Sequence, residues 1–205
     1  MNRLQMGIAI AFAMFSHMAS AMPISGVTVT TTFASPGESG SVIENIVNGS
    51  GLSSYTTGAT HSSGTPSNSW GAFGPTTGTI TFDLGDVFDL DGLAVWNFNG
   101  NNTAGINGLT IDGSLDGIAF ALIAGAPTNF AIGANFAAEL AEIFSFATTA
   151  QFVRFNVTSS YGRAAIGLSE VIFTGDTGTA VPAPATLALF GLGLAGLGWS
   201  RHKKS

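Results

Sequence analysis

The side chains able to do chemistry are few and scattered. The stretch between the termini holds one histidine, His61, in a Ser/Thr/Gly-rich segment, and the chain has no cysteine. A single imidazole with no carboxylate nearby in sequence makes no zinc site and reads as a solvated loop residue. Asp89 and Asp91 flank Leu90 in a strand-like run, so alternation points both carboxylates the same way. Such a pair can serve a glycosidase, hold a calcium ion or sit in a solvated turn. Asp112 and Asp116 each precede a glycine and read as turn formers. No G-x-S-x-G elbow is present to expose a nucleophilic serine. Gly191 to Gly196 spells G-x-G-x-x-G, but it lies in an apolar run with no strand ahead of it and no acid after it, so it is not a dinucleotide site. No catalytic constellation emerges, and the chain reads as non-enzymatic.

Charge narrows the partners. The 205 residues include six cations, Arg3, Arg154, Arg163, Arg201, Lys203 and Lys204. Only Arg154 and Arg163 lie in the central body, against twelve acids between Glu38 and Asp176, a net of −10. A basic surface that could neutralise phosphates is absent, which excludes nucleic acid as a partner. The apolar share is too high for a disordered acidic chain. With no cysteine, disulfide scaffolds and thiolate metal sites are excluded as well.

The elements that must position these residues are short strands. Residues 27–33, 79–82 and 152–157 alternate at period two. Residues 93–96, 109–111, 119–122 and 170–173 are further candidates. About seven short strands with turn signals between them indicate an all-β sandwich or jelly roll. In residues 152–157, alternation puts Val153, Phe155 and Val157 on the core face and Arg154 on the other. Arg154 then either pairs with an acid such as Glu170 or meets a ligand. Asp83 is placed to cap the turn that closes its strand, and Gly85 is expected in a conformation that side chains disfavour. Residues 135–146 have the Ala/Glu content for a turn or two of helix. Residues 49–75 read as a long polar loop, and residues 174–180 as a linker.

Both ends read as addresses. Arg3, an apolar run over residues 6–15 and Ala19-Ser20-Ala21 form a secretory signal peptide with cleavage after Ala21. The alternative is a membrane anchor, for which the run is short. At the other end, Val181-Pro182-Ala183-Pro184 precedes an uncharged stretch over residues 185–199, then Arg201-His202-Lys203-Lys204. The stretch suits a membrane helix with its cationic end on the cytoplasmic side; a buried terminal helix is the alternative. In this order the three parts resemble the PEP-CTERM sorting signal of Gram-negative bacteria, with Ala183 where that family usually has Glu. The resemblance implies that an exosortase and the inner membrane are partners. It also implies cutting near the prolines and delivery to the cell surface or extracellular matrix.

The body carries a second resemblance. A strand ending in Asp83-Leu84-Gly85, a turn through Ser114-Leu115-Asp116-Gly117, residues 150–155 and then residues 167–173 follow one another in order. Asn48-Gly49 and Trp70 stand ahead of them. Together they resemble the discoidin or coagulation-factor type C domain, a galactose-binding-like jelly roll. The resemblance implies a structural calcium held by Asn48 and Glu170, with Asn standing where the family has Asp. It also implies a sugar site built from exposed loop aromatics and amides, for which Tyr55, Trp70, Asn97, Asn99, Asn101 and Asn102 are the candidates. Trp70 can equally be a core residue.

The expected organisation is a signal peptide (1–21), a discoidin-like β-sandwich (22–176), a linker with the sorting motif (177–184), a transmembrane helix (185–200) and a basic cytoplasmic tail (201–205). The expected function is that of a secreted, exosortase-sorted surface protein associated with exopolysaccharide or biofilm. A lectin-like carbohydrate-binding module is the alternative, and an envelope glycosidase using Asp89 and Asp91 a more distant one.

Overall fold

The computed structural model describes residues 22–34 and 41–178. The expected signal peptide and the expected membrane helix, with Val181, Pro182, Ala183 and Pro184, lie outside the described residues. Among those described, no helix is long and apolar enough to cross a membrane.

The described residues form nine strands: β1 (Thr28–Thr31), β2 (Thr60–His61), β3 (Trp70–Phe73), β4 (Gly78–Asn97), β5 (Ile106–Ser114), β6 (Ala121–Leu122), β7 (Glu139–Leu140), β8 (Glu142–Ser160) and β9 (Ala165–Thr177). The two longest, β4 and β8, serve both faces of the fold. Gly78–Asp83 of β4 pairs with β1 on one side and with residues 152–157 of β8 on the other. After a register shift between Asp83 and Phe88, the rest of β4 lies between β9 and residues 142–150 of β8. β5 and β6 extend the first face, and β3 borders β9 on the second.

The two faces close on one apolar core. Phe82 of the first face meets Phe173 of the second with ring centroids 5.0 Å apart, and Phe155 lies 4.9 Å from Phe82. Each of these fully buried rings contributes about 2–3 kcal/mol through area removed from water. The result is a β-sandwich. Val153, Phe155 and Val157 all point into it, as the period-two pattern requires.

The bend in β4 has a local cause. Asp83 Oδ1 accepts the Gly85 N–H at 2.9 Å, and Gly85 sits at φ +85°. A β-carbon is disfavoured there by its own backbone, so the expected roles of Asp83 and Gly85 both hold.

From Gly92 to Asn97, β4 is buried on both sides. Leu93 and Val95 join the main core, while Ala94 and Trp96 face outward with Ile172 of β9. Residues 52–61 cover that outer face. Trp96 Nε1 donates to Ala59 O at 3.2 Å, and Leu52 and Tyr55 pack against the cluster. This explains why residues 93–96 are apolar without alternation.

Several expectations are corrected. Residues 49–75 are not one open loop, because β2 and β3 fall within them. Residues 135–146 form β7 and the start of β8. Cross-strand pairing overrides the Ala/Glu helix preference there, and Ile143-Phe144-Ser145-Phe146 already alternates. β9 runs to Thr177, so the strand takes in the first part of the expected linker. Arg154 pairs with Asp112, at 3.1 Å, and not with Glu170. Asp112 lies in β5 directly opposite Arg154, so it is a cross-strand partner and not a turn former. Asp116 does make a turn, accepting the Ile118 and Ala119 N–H groups at 2.9 Å.

Candidate functional site

His61 is fully buried under the outer layer and is not solvated. Its Nδ1 lies 2.6 Å from Ser62 O and its Nε2 3.0 Å from Asn68 O. Burial pushes the imidazole below its usual range, against the pull of those carbonyls. The group is a fastener for residues 62–68. Asp89 and Asp91 are exposed and take hydroxyl donors from different neighbours, Thr149 of β8 and Thr174 of β9.

The asparagines divide by role. Asn97 and Asn99 are buried. Asn97 Nδ2 donates to Ile106 O and Ala131 O, and its Oδ1 accepts from the Phe98 and Ile106 N–H groups. Asn99 Nδ2 donates to Ser62 O at 2.9 Å and to Ala137 O at 3.0 Å, and its Oδ1 accepts from Ser169. Fully engaged amides of this kind cannot also meet a ligand. They tie three loops to the end of the sheet. Asn102 Nδ2 is likewise spent on Gly133 O. Asn101 accepts from the Thr103 hydroxyl through Oδ1 and lines an adjoining cleft. Trp70 is buried beside Phe33, with ring centroids 5.8 Å apart. Tyr55 lies on the outer layer, donating from its hydroxyl to Ile24 O at 3.0 Å. The six candidates are therefore not brought together as one binding surface.

The cleft itself encloses about 210 Å³. Phe98 lies on its floor, seated against glycines: a β-carbon at Gly167 would come within 2.7 Å of the Phe98 ring, and one at Gly100 within 3.0 Å. Phe73, at the end of β3, is 49% exposed, and Phe136 is 64% exposed. Arg163 lines the same cleft from the turn between β8 and β9, its guanidinium 5.5 Å from the Phe73 ring centroid.

Phe136 has a positive φ of +51°, alone among the non-glycine residues described. For an L-residue this costs roughly 1–2 kcal/mol, and such strain persists only where surrounding contacts fix it. Those contacts are present. Glu139 Oε2 accepts the Ala134 N–H at 2.6 Å, Phe136 N–H donates to Gly100 O at 3.0 Å, and Asn99 holds Ala137. An exposed aromatic ring is thus held over a cleft by a loop fastened on both sides.

A second locus lies at Glu170, fully buried on the outer face of β9. Its Oε2 accepts the Gly49 N–H at 3.0 Å, and its Oε1 is buried without a partner. Burial pushes its pKa up to about 9, opposed by the Gly49 hydrogen bond. Nearby, burial and then the Glu170 charge raise the Tyr55 phenol to about 12. Asn48 is exposed, and its Oδ1 accepts the Ser50 N–H at 2.8 Å. The structure therefore brings the Asn48-Gly49 loop and Glu170 together. Among the described residues, no group of three or more His, Cys, Asp or Glu side chains is placed to hold a metal.

Residues 30–172 match the F5/8 type C domain family, well over half the chain. The chain belongs to that family. Residues 180–203 match the PEP-CTERM protein-sorting motif. No curated protein matches the chain. Among solved structures, this F5/8 type C domain is similar to the CBM32 of AlyQ in complex with 4,5-unsaturated mannuronic acid. That similarity has 22% identity and a TM-score of 0.51, and covers 74% of this chain and 97% of that one. CpGH89CBM32-5 of Clostridium perfringens, in complex with GalNAc-β-1,3-galactose, shares 16% identity at a TM-score of 0.53, over 75% of this chain and 99% of that one. A putative chitobiase fragment from Bacteroides thetaiotaomicron shares 17% identity at a TM-score of 0.56, over 81% and 99% of the two chains. At these identities the likeness concerns the fold.

Phe73, Phe98, Phe136 and Arg163 were not among the residues singled out from sequence. Phe73 fell inside the stretch read as a polar loop, and Phe98 lies between the candidate amides Asn97 and Asn99. Nothing local marks Phe136, whose placement depends on contacts from residues 99, 100 and 139.

Proposed function

We propose that this F5/8 type C domain is an exported, non-catalytic carbohydrate-binding module, and that the cleft bearing Phe73, Phe98 and Phe136 is its saccharide site. The observation that carries this reading is the pair of exposed rings at one cleft, one of them kept in a strained backbone. Aromatic faces stack on the C–H face of a pyranose, and the Asn101 amide at the cleft suits its hydroxyls. The CBM32 neighbours solved with sugars support the reading. Retention of the full-length chain on an immobilised polysaccharide panel tests it. Phe136→Ala should lower retention about tenfold, the effect of losing one stacking ring. Equal retention by the variant would overturn the assignment of this cleft.

The PEP-CTERM match supports a second element of the proposal. The chain passes the inner membrane behind residues 1–21, is held there by residues 185–200, and is released by an exosortase near Val181-Pro182-Ala183-Pro184. It then acts at the cell surface or in an exopolysaccharide matrix.

A calcium ion forms a third element. The unpartnered Oε1 of Glu170, beside the Asn48-Gly49 loop, fits an oxygen-ligated cation. Asn48 and backbone carbonyls would supply the other donors. With one carboxylate in the set, the site belongs to the weaker end of calcium binding. The bound ion would neutralise Glu170 and brace the loop.

A further inference from the structure

Resting on the saccharide reading of this cleft, we infer that its ligand is a carboxylate-bearing sugar, a uronic acid, and that Arg163 binds the carboxylate. Two cations occur among the described residues. Arg154 is spent: it pairs with Asp112 at 3.1 Å, and its guanidinium lies 3.9 Å from the Phe120 ring centroid. Arg163 has no ion pair among the described residues. Its backbone is fixed instead, donating to Thr103 O at 3.1 Å and accepting from the Ser160 hydroxyl at 2.7 Å. The side chain is exposed and reaches the cleft beside Phe73. Among the described residues, no acidic side chain lines that cleft, although the body as a whole is strongly acidic. Among the described residues, the one guanidinium without an ion pair thus coincides with the exposed rings and with a lining that holds no acid.

A guanidinium fork matches a carboxylate with two parallel hydrogen bonds, a geometry that a neutral hydroxyl does not satisfy. A uronic acid carries both required features on one ring, an apolar C–H face for Phe73 and Phe136 and a carboxylate at its edge. The acidic remainder of the body opposes a polyanion only at a distance. At physiological ionic strength its field decays over about 8 Å, so the contact at Arg163 decides.

The test compares polygalacturonate, its methyl ester and a neutral galactan, each immobilised, with the detergent-solubilised full-length chain and its Arg163→Gln and Arg163→Lys variants. Free galacturonate as competitor separates recognition of the single sugar from recognition of the polymer. The expected result is about tenfold stronger retention on polygalacturonate than on the ester. That preference should vanish in Arg163→Gln and survive in part in Arg163→Lys. Because Arg163 is exposed, unchanged melting temperatures should accompany these effects. Equal retention on acid and ester, or a preference that survives Arg163→Gln, would overturn the uronate inference while leaving a saccharide site. Retention on none of the three polymers would overturn both.

Discussion

Phe136 keeps its ring in water and its backbone in the left-handed region, two costs at a single position. Replacement by glycine removes the backbone cost. Phe136→Gly is expected to leave the melting temperature unlowered while reducing saccharide retention about tenfold. Calorimetric melts paired with the retention assay measure both. A parallel loss of stability and binding would make the residue structural. Glu170 is the other residue whose environment works against it. Its pKa is raised from an ordinary 4.5 to about 9 by burial, so the folded chain keeps a proton that the unfolded chain gives up between those values. Its contribution to stability is therefore complete below about 4.5 and lost as pH rises through about 9. Thermal melts in chelator should show stability falling over that window, and Glu170→Gln should flatten the fall. A calcium ion needs the ionised carboxylate. Stabilisation by added calcium should therefore grow with pH and be absent in Glu170→Gln.

At the scale of elements, the loops around the cleft are held by side chains that resemble ligand-binding residues in sequence. Asn99 fastens residues 62 and 137 to β9 from a fully buried position. Asn99→Ala leaves the buried Ser169 hydroxyl without its acceptor and removes two amide hydrogen bonds, and about 2–3 kcal/mol of stability should be lost, measured by urea denaturation. Saccharide retention should fall with it, because the loop presenting Phe136 is released. The asparagine-rich run 97–102 was readable as a loop at the end of a strand, and it does lie at the cleft. Which of its amides face inward was not readable, because that depends on carbonyls from residues 62, 131, 133 and 137, distant in sequence. The strand cores were legible for the opposite reason. Alternation in residues 79–82 and 152–157 is a local signal, and one buried face reads it directly. The Arg154 partner fell between the two cases. The need for an acid was visible, but the choice of Asp112 over Glu170 depends on β5 lying beside β8.

For the whole molecule, the body and its two ends act as separate statements. The F5/8 type C domain supplies a rigid sandwich with a cleft, and the PEP-CTERM motif supplies an address. Mass spectrometry of the protein from its native host should find a mature chain starting at Met22. Its end should lie at or before Pro184, without Lys203 and Lys204. An intact basic end would show an anchor that is kept. The core holds the cleft in place: Phe155→Ala, at the centre of the aromatic cluster, should cost about 3–5 kcal/mol and abolish saccharide retention by unfolding the site. Where a sugar lands on the domain is the decisive observation. Backbone amide shifts of the isotopically labelled full-length chain, titrated with galacturonate oligosaccharides, locate it directly. The expected perturbations gather at Phe73, Phe98, Asn101, Phe136 and Arg163. Perturbations gathered instead around Asp89 and Asp91, or none at saturating sugar, would contradict the account.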